Sequence, residues 1–101
     1  MPEVQQIEQV LIPCVKTSRG MFPTERLVTV QDRSGELLPM FAGCCALVER
    51  NKRQYIRATR MSIDEEAGFS VCLLPVMVTE TPTMTRWVRV PNSEIMVYDS
   101  E

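Results

Sequence analysis

Cys44 and Cys45 stand side by side behind Gly43 in the stretch FAGCCALVE, and with Cys14 and Cys72 they make up the four thiols of the chain. Zinc chemistry asks for tetrahedral ligands, usually at CxxC or mixed Cys/His spacing. The chain has no CxxC and no histidine. Neighbouring residues of a strand point to opposite faces, so Cys44 and Cys45 in a strand could not share one ion. A bond between them is also disfavoured, because adjacent Cα atoms lie about 3.8 Å apart, short of the roughly 4.4–6.8 Å that disulfides span. Nucleophilic use of a thiol needs a base or cation to make the thiolate, and the usual base is missing. What remains is four reduced thiols behaving as small apolar residues. Cys14 and Cys72 fall in apolar strands, and Gly43-Cys44-Cys45 reads as a bend that ends a strand and tucks its thiols under the fold. No metal and no cofactor is expected.

Other catalytic constellations are equally thin. Without histidine there is no Ser-His-Asp or Cys-His arrangement. Asp64, Glu65 and Glu66 form an acidic run that reads as a solvated loop, and it lacks the alternating ligands and central glycine of a calcium loop. No GxxxxGK[ST] or GxGxxG is present, and four glycines leave no phosphate-cradling loop. An enzyme with its own active site is not expected. The strongest polar feature is basic. Arg50, Lys52, Arg53, Arg57 and Arg60 fall within eleven residues around Tyr55, five of the eleven cations of the chain. In a strand over 53–60, Arg53, Tyr55, Arg57 and Thr59 share one face, and Gln54, Ile56, Ala58 and Arg60 the other. Arg86, Trp87 and Arg89 form a second basic and aromatic group. Small β-barrels present such strands to single-stranded nucleic acid, stacking bases on aromatics and tracking phosphates with cations. Arginine beside aromatics equally marks the centres of protein–protein contacts. The candidate binding face is therefore Arg50, Lys52, Arg53, Tyr55, Arg57, Trp87 and Arg89.

The elements that must carry these side chains read as strands. QVLIPCVKT (9–17), RLVTVQD (26–32), ELLPMF (36–41), RQYIRATRM (53–61), FSVCLLPVMVT (69–79), TRWVRV (85–90) and EIMVY (94–98) are β-branched, aromatic or alternating. In RLVTVQD, Val28 and Val30 share one face, with Leu27, Thr29 and Gln31 on the other. Between the strands lie turn residues: SRG before FPTE, DRSGE, ERNK, DEEAG and VPNSE. Helix is confined to possible single turns near 3–11, where Val4, Ile7 and Leu11 have helical spacing, near 43–48, and near 63–67, where Ser62 and Glu65 have capping-box spacing. Pro13, Pro39 and Pro75 lie inside apolar runs. Each lacks a ladder N–H, which places it on an edge, at a strand end or at a bulge. The expected fold is all-β and mainly antiparallel: a single domain over 1–101 forming a small barrel of six or seven strands, with a β-sandwich as the alternative. Residues 11–41 and 73–98 echo one another through Leu-x-Pro, Arg-x-Val-x-Val-x-(Asp/Asn) and Glu-(Leu/Ile)-(Leu/Met). A pseudo-twofold pair of three-strand units, joined by a linker (42–68) with its own strand, would produce this echo.

Whole-chain properties set the frame. A chain of 101 residues with 45% hydrophobic and 24% charged residues has ordinary globular balance. Net charge of −2 gives no global attraction to nucleic acid or anionic lipid. The start MPEVQQIEQV has no basic segment followed by an apolar core, and VLIPCV and VCLLPVMV fall far short of the roughly 18–20 residues a spanning helix needs. A cytoplasmic location without membrane attachment is the expectation. Missing catalytic groups and apolar stretches such as VCLLPVMV point to a non-catalytic protein-interaction module that self-associates or joins a larger assembly. The alternative is a small barrel binding single-stranded nucleic acid.

Overall fold

The computed structural model describes residues 8–75 and 87–98. These residues form strands β1 (Glu8–Pro13), β2 (Lys16–Arg19), β3 (Glu25–Gln31), β4 (Leu37–Gly43), β5 (Leu47–Arg50), β6 (Arg53–Asp64), β7 (Phe69–Leu73), β8 (Trp87–Pro91) and β9 (Met96–Val97). All pairings are antiparallel. They make two sheets rather than one closed barrel. The larger has the order β8-β7-β6-β1-β9, with β5 beside the first residues of β6, and the smaller is the meander β2-β3-β4.

Alternation decides which faces meet. Val28 and Val30 of β3 pair in register with Met40 and Leu38 of β4, and all four side chains are buried. Val10 and Ile12 of β1 pair with Ala58 and Ile56 of β6, again all buried. Val88 and Val90 of β8 complete the same apolar cluster, with Cys14, Ala42, Cys72 and Leu74. One core thus lies between the inner faces of both sheets. Each such side chain contributes roughly 1.5–3 kcal/mol by leaving water. Leu11 is also buried but on the opposite face of β1, with Arg57 and Met96 in register beside it.

The prolines sit where the missing N–H does least harm. Pro13 ends β1, Pro39 lies in β4 at the edge of the meander, and Pro75 follows β7. Other expectations are corrected. The stretch 9–17 is two strands: the chain leaves the large sheet at Cys14, whose N–H donates to Gln54 O (2.9 Å), and joins the meander at Val15, whose N–H donates to Thr29 O (2.8 Å). The stretch 63–67 is no helical turn. β6 runs on through Asp64 with a bulge at Met61, and the Asp64 carboxylate takes the Ala67 N–H (2.8 Å) in a turn closed by Gly68 at φ +82°. Near 43–48 a single 3-10 turn does form, over Cys44–Ala46. The strand 94–98 shrinks to β9 behind a second 3-10 turn, Asn92–Glu94. Helical spacing at 3–11 fails for Glu8 onward, which is strand; 3–7, 76–86 and 99–101 lie outside the described residues. The echo of 11–41 in 73–98 falls in part on 76–86, outside the described residues; among the described ones β3 pairs with β4, β8 with β7 and β9 with β1. No helix among the described residues is long and apolar enough to cross a membrane.

Candidate functional site at the junction of the sheets

The two sheets meet at one end through the turn that follows β3. DRSGE forms this turn because Gly35 adopts φ +95°, a left-handed conformation open to glycine. The Gly35 N–H donates to Asp32 O (2.8 Å), and the Asp32 N–H donates to Glu36 O (2.9 Å). The Asp32 carboxylate then has two roles. It closes its own turn by accepting the Ser34 N–H (3.0 Å), and it reaches across to β8. There Arg89 donates its backbone N–H to Oδ1 (2.7 Å) and its Nη2 to Oδ2 (2.9 Å), while Arg33 N–H donates to Arg89 O (2.8 Å). The Asp32 side chain is only 10% exposed. Burial by itself would push the carboxyl up, but the hydrogen bonds from the Arg89 side chain, Ser34 N–H and Arg89 N–H win and hold it well below the usual carboxylate range.

Beside this link a cavity of about 680 Å³ opens between the crossing strand and the turn. Val15 and Pro91 give it exposed apolar wall, with Cys14 at its edge, and Arg33, Arg53 and Glu94 bring charge. Arg53 stands at the start of β6 and packs over the Tyr55 ring, 5.9 Å from its centroid. Arg33 packs over the Phe69 ring at 4.3 Å. Burial pushes the Cys14 thiol up to about 11, and the Arg53 charge opposes part of that rise, so its field reaches the cavity wall.

The predicted binding face is dispersed. Arg50 and Lys52 flank the tight β5–β6 turn, in which Asn51 and Lys52 both have positive φ (53° and 66°). Tyr55 is buried, 8% exposed, because Pro13 on one neighbouring strand and Val48 on the other share its face in register. It therefore offers no open ring for a base. Arg57 lies over Tyr98 at 4.5 Å. Trp87 is half-exposed on β8, and Arg89 is committed to Asp32. Only Arg53 of the seven lines the cavity; Asp32, Arg33 and Glu94 were missed, although DRSGE was read as a turn. Among the described residues Arg60 pairs with Glu8 (2.9 Å) and Arg89 with Asp32.

The thiols divide cleanly. Cys14 and Cys72 are buried, and burial pushes Cys72 up to about 11 against the opposing charge of Arg60. Cys44 and Cys45 are exposed, which corrects the expectation that the bend hides them. The bend does end β4, but its 3-10 turn buries none of its residues. No cluster of three or more metal-ligating side chains occurs among the described residues.

Among the described residues, the most exposed apolar group is at the far end of the meander. Met21 and Phe22, at the tip between β2 and β3, are 76% and 63% exposed. The tip is nonetheless well braced. Gly20 N–H donates to Glu25 O (3.2 Å), Glu25 N–H to Phe22 O (3.0 Å), and Met21 N–H to Glu25 Oε1 (3.1 Å). Comparison of the chain with protein-family models, curated proteins and solved structures finds no match.

Proposed function

We propose that this chain is a non-catalytic protein-interaction module, self-associating or part of a larger assembly, that makes contact through the β2–β3 tip. The exposure of Met21 and Phe22 carries this reading. The hydrogen-bonded turn leaves the backbone that carries these two large apolar side chains little ordering entropy to lose, and burying an aromatic of this kind yields roughly 2 kcal/mol. The scaffold behind them is best described as two sheets packed over a shared apolar cluster, which favours a sandwich over a barrel. Four unpaired cysteines favour a reducing compartment such as the cytoplasm. Nucleic-acid binding has weaker support, because Tyr55 is buried and Arg89 is neutralised by Asp32.

Sedimentation velocity over a wide concentration range tests the proposal, with the wild type and a Met21→Ser/Phe22→Ser variant side by side and each also immobilised to retain partners from extract. Mass growth or specific retention by the wild type, lost in the variant, is the expected result. A strict monomer that retains nothing, or association indifferent to the substitutions, would overturn it.

A further inference from the structure

The cavity at the junction of the sheets is independent of the β2–β3 tip, and its lining has the chemistry of a small-ligand site. Ligand pockets commonly occupy about 300–1,000 Å³ and join apolar walls to a few fixed polar groups. Here the volume is about 680 Å³, with Val15 and Pro91 as exposed apolar wall in front of the buried core residues Ile12 and Val90. Val15 is a large apolar side chain left exposed on that wall. Charge distinguishes the cavity from a generic cleft. Asp32 is spoken for by Arg89, and neither Arg33 nor Arg53 has a carboxylate partner among the ion pairs of the described residues. Both pack over aromatic rings instead, which restrains their stems and leaves guanidinium N–H donors without a side-chain acceptor among the described residues. Glu94 is the one acid of the lining not already engaged. With the Asp32–Arg89 pair taken as neutral, Arg33 and Arg53 against Glu94 leave one net positive charge facing the cavity, which suits a monoanion better than a dianionic phosphate.

We propose that this cavity binds a small carboxylate with an apolar body, the body against Val15 and Pro91 and the carboxylate on Arg53, with Arg33 as the second cation. Cys14 on the wall stays a neutral thiol and does not repel such a ligand. Arg53 and Arg33 attract the anion, and Glu94 weakens it.

The test uses benzoate and hexanoate as probes, with benzamide and inorganic phosphate as controls, followed by backbone amide shifts in the full chain. Saturable shifts at residues 12–15, 31–35 and 90–94 are expected with the carboxylates. Arg53→Gln should weaken binding about tenfold through loss of a charge-assisted hydrogen bond, and Arg33→Gln by a smaller factor. Glu94→Gln should tighten it severalfold, a gain that damage to the fold would not produce. Unchanged melting of the variants checks that each is folded. The proposal is overturned by absent or non-saturable shifts with both carboxylates, by benzamide or phosphate binding as well as benzoate, or by Arg53→Gln and Glu94→Gln leaving affinity unaltered.

Discussion

Replacing Asp32 should uncouple the two sheets, and the size of the effect follows from what its carboxylate holds. Two backbone N–H groups, of Arg89 (2.7 Å) and Ser34 (3.0 Å), end on it, as does Nη2 of Arg89. Asp32→Ala leaves both N–H groups without that acceptor. At about 1–2 kcal/mol for each, the loss is about 2–4 kcal/mol. For a domain of this size that lowers the melting temperature by roughly 10–20 °C. Asp32→Asn keeps one acceptor oxygen and loses the charge, so it should cost about half as much. The charge also has a pH signature. The folded carboxyl sits below its unfolded value of about 3.9, so the unfolded chain takes up the proton more readily. The stability this group contributes is therefore full above about pH 5 and drains away as the pH falls below about 4. Urea denaturation followed by Trp87 fluorescence, run from neutral pH down to about pH 2.5, measures both effects. The gap between wild type and Asp32→Asn should narrow steadily on acidification. A gap that stays constant, or an Asp32→Ala loss under about 0.5 kcal/mol at neutral pH, would refute the assignment of the joint to this carboxylate.

Alkylation of the native protein should label Cys44 and Cys45 quickly and leave Cys14 and Cys72 unreacted until denaturant is added, as peptide mapping by mass spectrometry would show. Lys52→Gly should stabilise the β5–β6 hairpin by about 0.5–1 kcal/mol, because Lys52 at φ 66° adopts a backbone that glycine takes without the left-handed penalty; chemical denaturation would detect the gain. Gly20→Ala should cost about 1–3 kcal/mol and shift the amides of 20–25, since a Cβ there would come within 2.7 Å of the Glu25 carbonyl carbon and oxygen.

What could be read from the sequence was governed by local rules. The alternation of β3 put Val28 and Val30 together on one face, which is the buried one, the prolines marked strand ends and an edge, and Cys14 and Cys72 stood in apolar runs that proved to be core. What could not be read depends on partners distant in the chain. Alternation put Arg53, Tyr55 and Arg57 on one face, but only the registers of β1 and β5 with β6 reveal that Pro13 and Val48 cover Tyr55. Arg89 looked like a free cation because its partner, Asp32, lies far upstream in a turn whose hydrogen bonds appeared purely local. The break at Cys14–Val15 left no mark either, since each half of 9–17 is a legitimate strand in its own sheet. The exposure of Cys44 and Cys45 escaped the composition argument because thiols are usually buried and the 3-10 turn lies outside the core.

The crossing of the chain from one sheet to the other at Cys14–Val15 also dictates an order of assembly. The meander β2-β3-β4 is built from neighbours joined by short turns, so its loops close cheaply and early. β1 has no such neighbour: its long pairing is with β6, and its short one with β9 near the other end of the chain. Contacts of such long range form late. On a ribosome, Val10-Leu11-Ile12 would emerge before β6 and wait for it without this partner, an apolar strand whose two edges are both paired only by later strands. Pro13 at its end, unable to extend a ladder, shortens the template that a second nascent chain could seize during that wait.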